Sequence, residues 1–238
     1  MGNDARALGD ALLVRISLRV GDFVLDVNFD VAPGITVLFG PSGAGKTTTL
    51  AAVAGLVAPH AGRVALGERP WFDAALGVDV PPHRRPVSLV FQTLALFPHL
   101  SALANVEYGI DRRVARAERR ERARSMLARM KVAHVAERRP STFSGGEAQR
   151  VALARAFARS PRVVLLDEAF SSLDRELRRD LARDVRTLVD ELAVPAILVT
   201  HHHAEARAMG ERAVLLHHGK VVAAGSVLDV IPALADEG

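Results

Sequence analysis

Residues 40–47 read Gly-Pro-Ser-Gly-Ala-Gly-Lys-Thr, a spacing in which each fixed position can act on a polyphosphate. Glycines at 40, 43 and 45 let the backbone close into a concave loop whose N–H groups converge on one anion. The Lys46 ammonium can reach the β- and γ-phosphates, and the Thr47 hydroxyl can ligate Mg²⁺. Pro41, Ser42 and Ala44 complete the loop, and Thr48 extends the contact set by one residue. The apolar run 34–39 predicts a buried strand leading in. Residues 47–56 predict a helix leading out, so its N-terminal dipole also faces the phosphates. The chemistry implied is the binding of a nucleoside triphosphate.

A second carboxylate-bearing element suits the same ligand. Val163-Val164-Leu165-Leu166 is a four-residue apolar run that ends in Asp167-Glu168. Parallel α/β sheets place ligands at the carboxyl ends of their strands. Asp167 there is a partner for Mg²⁺, directly or through water. Strand alternation turns Glu168 to the opposite side, where it can orient or deprotonate an attacking water. Standing alone, the pair would read equally well as a strand ending in surface acids.

Residues 143–155 read Phe-Ser-Gly-Gly-Glu-Ala-Gln-Arg-Val-Ala-Leu-Ala-Arg. This run resembles the signature segment of ATP-binding-cassette (ABC) ATPases together with its helix. Ser144 with Glu147 three residues on is also a capping box. The resemblance implies that Ser144, Gly145, Gly146 and Glu147 face the γ-phosphate of an ATP bound by a second subunit. It extends, in order, to Gln92 after the strand 87–91, which would touch Mg²⁺ and water. Ser172-Leu173-Asp174 corresponds to the loop that crosses the dimer interface, and His201 to the switch histidine at the γ-phosphate. Six ordered motifs from 40 to 201 carry the likeness across essentially the whole chain. It departs from the family's common pattern at Phe143, Glu147, Ala169 and His202. The adenine-stacking aromatic, often Tyr in the family, falls to Phe23.

Elements of two kinds must position these groups. Residues 11–20 and 23–30 alternate as strands around a Gly21-Asp22 turn. Short strands are expected at 64–66 and 87–91, with the Gly- and Pro-rich stretch 67–86 mostly loop. Helical spacing occupies 113–130 and 146–159. Next come strand 163–166, helix 175–192, strand 196–200, helix 204–209, strand 213–217 and strand 221–224. The expected fold is α/β: a P-loop core with a mostly parallel sheet, an N-terminal antiparallel β subdomain and an inserted α-helical lobe. One domain, 1–238, is expected, with 1–92 and 161–238 forming the nucleotide-binding core and 93–160 the helical lobe. No room remains after Gly225 for a C-terminal regulatory domain.

Composition narrows the class. Of the 238 residues, 49% are hydrophobic and none is cysteine, so a sizeable core can form without disulfides or thiolate metal sites. No apolar run approaches the roughly 18–20 residues of a membrane span. The formal charge is +4, but the arginines of 112–124 and 175–186 alternate with acids, as on solvated helix faces. No direct nucleic-acid partner is therefore expected. The family likeness implies ATP hydrolysis with ATP and Mg²⁺, and a second copy or a paralogous ATPase subunit. It also implies transmembrane permease subunits, with the chain on the cytoplasmic face of the membrane. Residues 92–100, with Leu96 and Phe97 exposed, are similar to the segment that receives a permease. The strand 34–39 and the Phe before it resemble molybdate or tungstate importers. Sugar, polyamine, iron or sulfate importers, a soluble ABC ATPase acting on ribosomes or nucleic acid, and an assembly switch without turnover are the alternatives.

Overall fold

Alternating burial gives the first hairpin its two faces. In the computed structural model, which describes residues 11–91, 93–171 and 173–231, β1 (Leu12–Val20) buries Leu12, Val14, Ile16 and Leu18. β2 (Phe23–Val31) buries Leu25, Val27, Phe29 and Val31. The two pair antiparallel, Val20 opposite Phe23, around a turn in which Gly21 takes a φ of 58°. β3 (Gly34–Phe39) leads into the loop 40–45 and α1 (Lys46–Ala54). β4 (Ala61–Leu66) pairs with the other edge of β1.

The stretch 67–86 holds more structure than its glycines and prolines suggest. It contains β5 (Arg69–Asp73) and the two-residue β6 (Val78–Asp79). Trp71 and Phe72 are buried in the apolar cluster under the hairpin, a gain in burial that outweighs the local breakers. Pro70 is accommodated because the ladder to β4 shifts register between Val64 and Ala65. Arg85, 1% exposed, then fastens this region to α1. Its Nη1 donates to the carbonyls of Ala52 and Val53 at 2.9 and 2.8 Å, and its Nε to that of Val80 at 2.7 Å. Its Nη2 pairs with Asp79 at 3.1 Å. The Val53 carbonyl is one that α1 cannot satisfy by itself, while the Ala52 carbonyl also accepts from the capping Gly55 N–H at 3.1 Å.

After β7 (Val87–Val90) come three helices, α2 (Ala102–Gly109), α3 (Arg116–Arg129) and α4 (Gly145–Ala158). The chain then alternates β8 (Val163–Asp167), α5 (Arg175–Leu192), β9 (Pro195–Val199) and α6 (His203–Met209). It ends in β10 (Arg212–His217), β11 (Lys220–Ser226) and the short α7 (Val227–Val230). Helix α2 has no counterpart in the periodicity of the sequence, since it is barely two turns long.

The eleven strands among the described residues form one sheet, in the order β6-β5-β4-β1-β2-β11-β10-β3-β9-β8-β7. From β10 to β7 the neighbours run parallel. From β6 to β2 they run antiparallel. The two parts are continuous through β11, which meets β2 at Lys220 and Asp26. Within the parallel part alternate residues serve opposite cores. Val164 and Leu166 of β8 join the cluster under the helices, and Val163 and Leu165 join the cluster beneath the antiparallel strands. A sheet covered on both faces explains why β8 and β9 are apolar without interruption.

Candidate functional site

Three strand ends meet at one edge of the sheet. β3, β9 and β8 are adjacent and parallel, with Leu38 and Asp167 each in register with Val199. The loop after Phe39, the segment Thr200-His201 and Glu168 therefore leave the sheet side by side. They border a cavity of about 710 Å³ that Ser42, Gly43, Gly45, Lys46, Thr47, Thr48, Glu168 and His201 line, with Phe23 and Val20 at one side. That volume accommodates a nucleotide-sized ligand.

The loop keeps its shape because two of its glycines have no space for a side chain. Gly40 has a φ of 147°, and a Cβ there would lie 2.2 Å from the Leu216 carbonyl oxygen. Gly45 has a φ of 101°, and a Cβ would lie 2.6 Å from Leu25 Cδ1 and 3.0 Å from Phe23 Cζ. From the β10–β11 turn, the Gly219 N–H donates to the Ala44 carbonyl at 3.2 Å and braces the loop from behind. Lys46 Nζ donates to the carbonyls of Gly40 and Pro41 at 2.8 and 2.9 Å. An ammonium has three donors, so one stays free for a phosphate. Burial lowers the Lys46 pKa, and the charges of Glu168 and Asp167 oppose that shift.

Asp167 is 7% exposed and accepts a hydrogen bond from Thr47 Oγ1 at 3.2 Å. Burial raises its pKa; the Thr47 bond works against this, Glu168 adds to it, and Lys46 opposes it. A hydroxyl and a carboxylate together are hard oxygen donors of the kind Mg²⁺ takes. Among the described residues no three His, Cys, Asp or Glu cluster as a metal cage. The donor set thus fits a cation that takes most of its shell from phosphate and water.

Glu168 does not alternate away from Asp167. β8 ends at Asp167, and Glu168 takes a φ of 49°, which turns its carboxylate into the same cavity. Its N–H is held by the Val199 carbonyl at 3.0 Å. His201 Nδ1 lies 3.4 Å from Glu168 Oε1, and its ring tilts against that of His202, centroids 4.1 Å apart. Behind them Thr200 Oγ1 donates to Glu205 Oε2 at 3.1 Å and accepts from the His202 N–H at 3.1 Å. Glu205, 6% exposed, is pushed up to about 7, chiefly by burial. Sequence spacing gives no hint of Glu205 or of Val20. Glu205 sits on a short helix among alanines, and what marks it is its burial, which no spacing in the sequence announces.

Ser144 to Glu147 stand apart from this cavity, with Ser144 and Gly145 exposed at the tip of α4. Ser144 Oγ accepts from the Glu147 N–H at 3.2 Å, and Glu147 Oε2 accepts from the Ser144 N–H at 2.7 Å, closing the capping box. Glu147 Oε1 lies 3.0 Å from His134 Nε2 and 3.4 Å from Arg138 Nη1. The Ser144 N–H, His134 and Arg138 together hold its carboxyl below the usual range. Leu173 is buried, and Asp174 caps α5 by accepting from the Leu177 N–H at 2.9 Å. Gln92 and Ser172 lie outside the described residues.

The segment after β7 differs from expectation. Leu96 packs on the core and Phe97 is half-buried rather than exposed. The Phe97 ring lies 4.5 Å from that of Tyr108, with the Arg155 guanidinium 5.6 Å above it. Fully buried Asn105 pins the turn, accepting from the Phe97 N–H at 2.8 Å and donating to the Phe97 carbonyl at 3.2 Å. The large apolar side chains exposed beside the segment are Phe91 before it and Tyr108 on α2, on the wall of a second cavity of about 840 Å³ between β7, α2 and α4.

Comparison with known proteins places this geometry. A family model described as "ABC transporter" matches residues 24–171. The molybdenum import ATP-binding protein ModC of Brucella melitensis is 40% identical over 230 residues, covering 95% of this chain and 62% of that protein. The chain thus spans less than two thirds of that relative's length. The molybdate/tungstate import ATP-binding protein WtpC of Archaeoglobus fulgidus is 40% identical over 225 residues, covering 93% of this chain and 90% of that protein. Among solved structures, the ATP-binding cassette MJ0796 in a dimeric post-hydrolysis state, bound to ADP and Pi, superposes with a TM-score of 0.76. It is 28% identical and covers 91% of this chain and 98% of that chain.

Proposed function

The chain belongs to the ABC transporter family, and from that membership we propose that it hydrolyses ATP to drive import of an oxyanion such as molybdate or tungstate through separate permease subunits. The observation that carries the reading is the convergence of Lys46, Thr47, Glu168 and His201 on one cavity, with Asp167 hydrogen-bonded to Thr47 at its border, while Ser144 to Gly146 stand outside it. A site so divided needs a second copy, or a paralogous subunit, whose Ser144 loop would close over the nucleotide. The oxyanion class rests on the names of the relatives from Brucella and Archaeoglobus.

The chemistry comes from the side chains. Loop N–H groups and Lys46 would cradle the β- and γ-phosphates, and Phe23 would lie against the adenine. Thr47 and Asp167, with Gln92, would hold Mg²⁺, which supplies neutralisation of phosphate charge when bound. Glu168 would orient a water for in-line attack on the γ-phosphorus and take its proton as the bond to the β–γ bridging oxygen breaks, giving ADP and phosphate. His201, beside Glu168, would contact the γ-phosphate. Ser172-Leu173-Asp174 would run along the interface between the copies. The groove beside residues 93–100 would seat the permease, and the protein would then lie at the cytoplasmic membrane face. No helix among the described residues is long and apolar enough to cross a membrane.

Glu168→Gln tests the assignment. The variant should bind ATP and accumulate as a closed dimer, visible by size-exclusion chromatography, with turnover reduced by about 100-fold or more. Wild-type turnover in that variant would overturn it.

A further inference from the structure

The helix that begins at Gly145 and the loop that carries Glu168 are joined inside the chain. Gln149, on the second turn of α4, is 2% exposed and donates its Nε2 to the carbonyl oxygen of Ala169. Ala169 comes directly after Glu168. A primary amide buried among apolar residues persists where its bond has structural consequence. Here the bond spans two elements that belong to different half-sites.

Two further contacts weld the same elements. Gly146 lies so close to α5 that a Cβ there would sit 2.4 Å from Leu177 Cδ2. Arg178, the next residue on α5, donates to the carbonyls of Phe170 and Leu173 at 3.2 and 2.8 Å. The tip of α4, the residues Glu168 to Phe170 and the first turn of α5 therefore form one packed body. Glu168 itself has a φ of 49°. A non-glycine residue keeps that conformation only where its surroundings impose it. The Gln149 bond falls on the carbonyl of the very next residue.

We propose that Gln149 is a positioning residue which transmits engagement of the Ser144 loop by a second subunit's nucleotide to Glu168 at the chain's own nucleotide. Each chain then holds half of two sites, and Gln149 makes the state of one half felt at the other. Because such coupling is reciprocal, nucleotide seated against Glu168 also sets the Ser144 loop for its partner. The inference rests on the dimeric reading given above and adds the route by which the two sites communicate.

Gln149→Met preserves length and volume but removes the donor. Measured on the full chain, it should bind a fluorescent ATP analogue within about twofold of wild type, since no nucleotide contact changes. Its kcat should fall about tenfold, and its Hill coefficient for ATP should drop from near two toward one. A purely structural role would lower the melting temperature without moving the Hill coefficient. Leu177→Ala, at a half-buried position on α5, loosens the Gly146 contact and should also lower the Hill coefficient; it decides alone if Gln149→Met does not fold. Wild-type cooperativity in the folded variants overturns the relay. Glu168→Gln separates the two readings: an ATP-induced dimer there alongside unaltered cooperativity in Gln149→Met rejects the relay only, whereas its failure to dimerise rejects the dimeric site and the relay with it.

Discussion

The Thr47 hydroxyl and the Asp167 carboxylate meet at 3.2 Å although 120 residues separate them in the chain. The pair joins the first turn of α1 to the end of β8 and aims two hard oxygen donors at the place where phosphates would lie. Asp167→Asn keeps the shape and the hydrogen bond but removes the charge. ATP hydrolysis should fall by about 100-fold or more, while ATP binding without Mg²⁺ stays close to wild type. Equilibrium binding with and without the metal, beside steady-state turnover, checks this.

Gly45→Ala attacks the loop from within. The new Cβ meets Leu25 and Phe23 and forces a side chain onto a φ of 101°. The variant should fold, since the clash lies at the edge of the cavity, but its Kd for ATP should rise at least about tenfold, or roughly 1.4 kcal/mol. Isothermal titration reads the change directly; an unaltered Kd would mean that the loop relaxes without consequence.

Glu205→Gln gives a pH-dependent result with a definite sign. The folded protein raises this carboxyl from 4.5 to about 7, so between those values the folded state holds a proton that the unfolded chain releases. Stability present below pH 4.5 is lost as pH rises, and the loss is complete above 7. Glutamine removes the penalty. Urea unfolding should show the variant more stable by up to roughly 3 kcal/mol at about pH 8, with the advantage shrinking toward about pH 5.

Arg85→Met tests the anchor beneath α1. It strips the Arg85 donors from the carbonyls of Val53 and Val80, and one of two partners from that of Ala52, which keeps the Gly55 N–H. Leaving buried acceptors unpaired should destabilise the fold by about 3 kcal/mol. A lowered urea midpoint with an unchanged m-value is the expected signature.

Legibility in the sequence tracks the range of the interaction. The phosphate loop, the capping box at Ser144 and the apolar β8 are built from neighbours in the chain, and each is readable where it stands. β5 and β6 are hidden because Gly67, Pro70 and Gly77 mimic a loop, while the burial of Trp71 that overrides them is supplied by distant strands. The turn of Glu168 into the cavity is hidden because strand alternation stops one residue earlier than the acidic pair suggests. The burial of Phe97 is hidden for a similar reason: its cover, Tyr108 and Arg155, comes from α2 and α4. Gln149 and Glu205 carry no motif at all, since what makes them notable is a partner on another element.

β3 finds its ladder neighbours only in β9 and β10, and the loop at its end is braced by Gly219. During synthesis the phosphate-binding segment leaves the ribosome early, as a strand with no sheet to join. Its partners, at 195–199 and 212–217, are made much later. A nascent chain halted before residue 195 therefore lacks both strand neighbours as well as the Gly219 brace. The order of the strands thus makes the phosphate-binding loop depend on segments translated long after it.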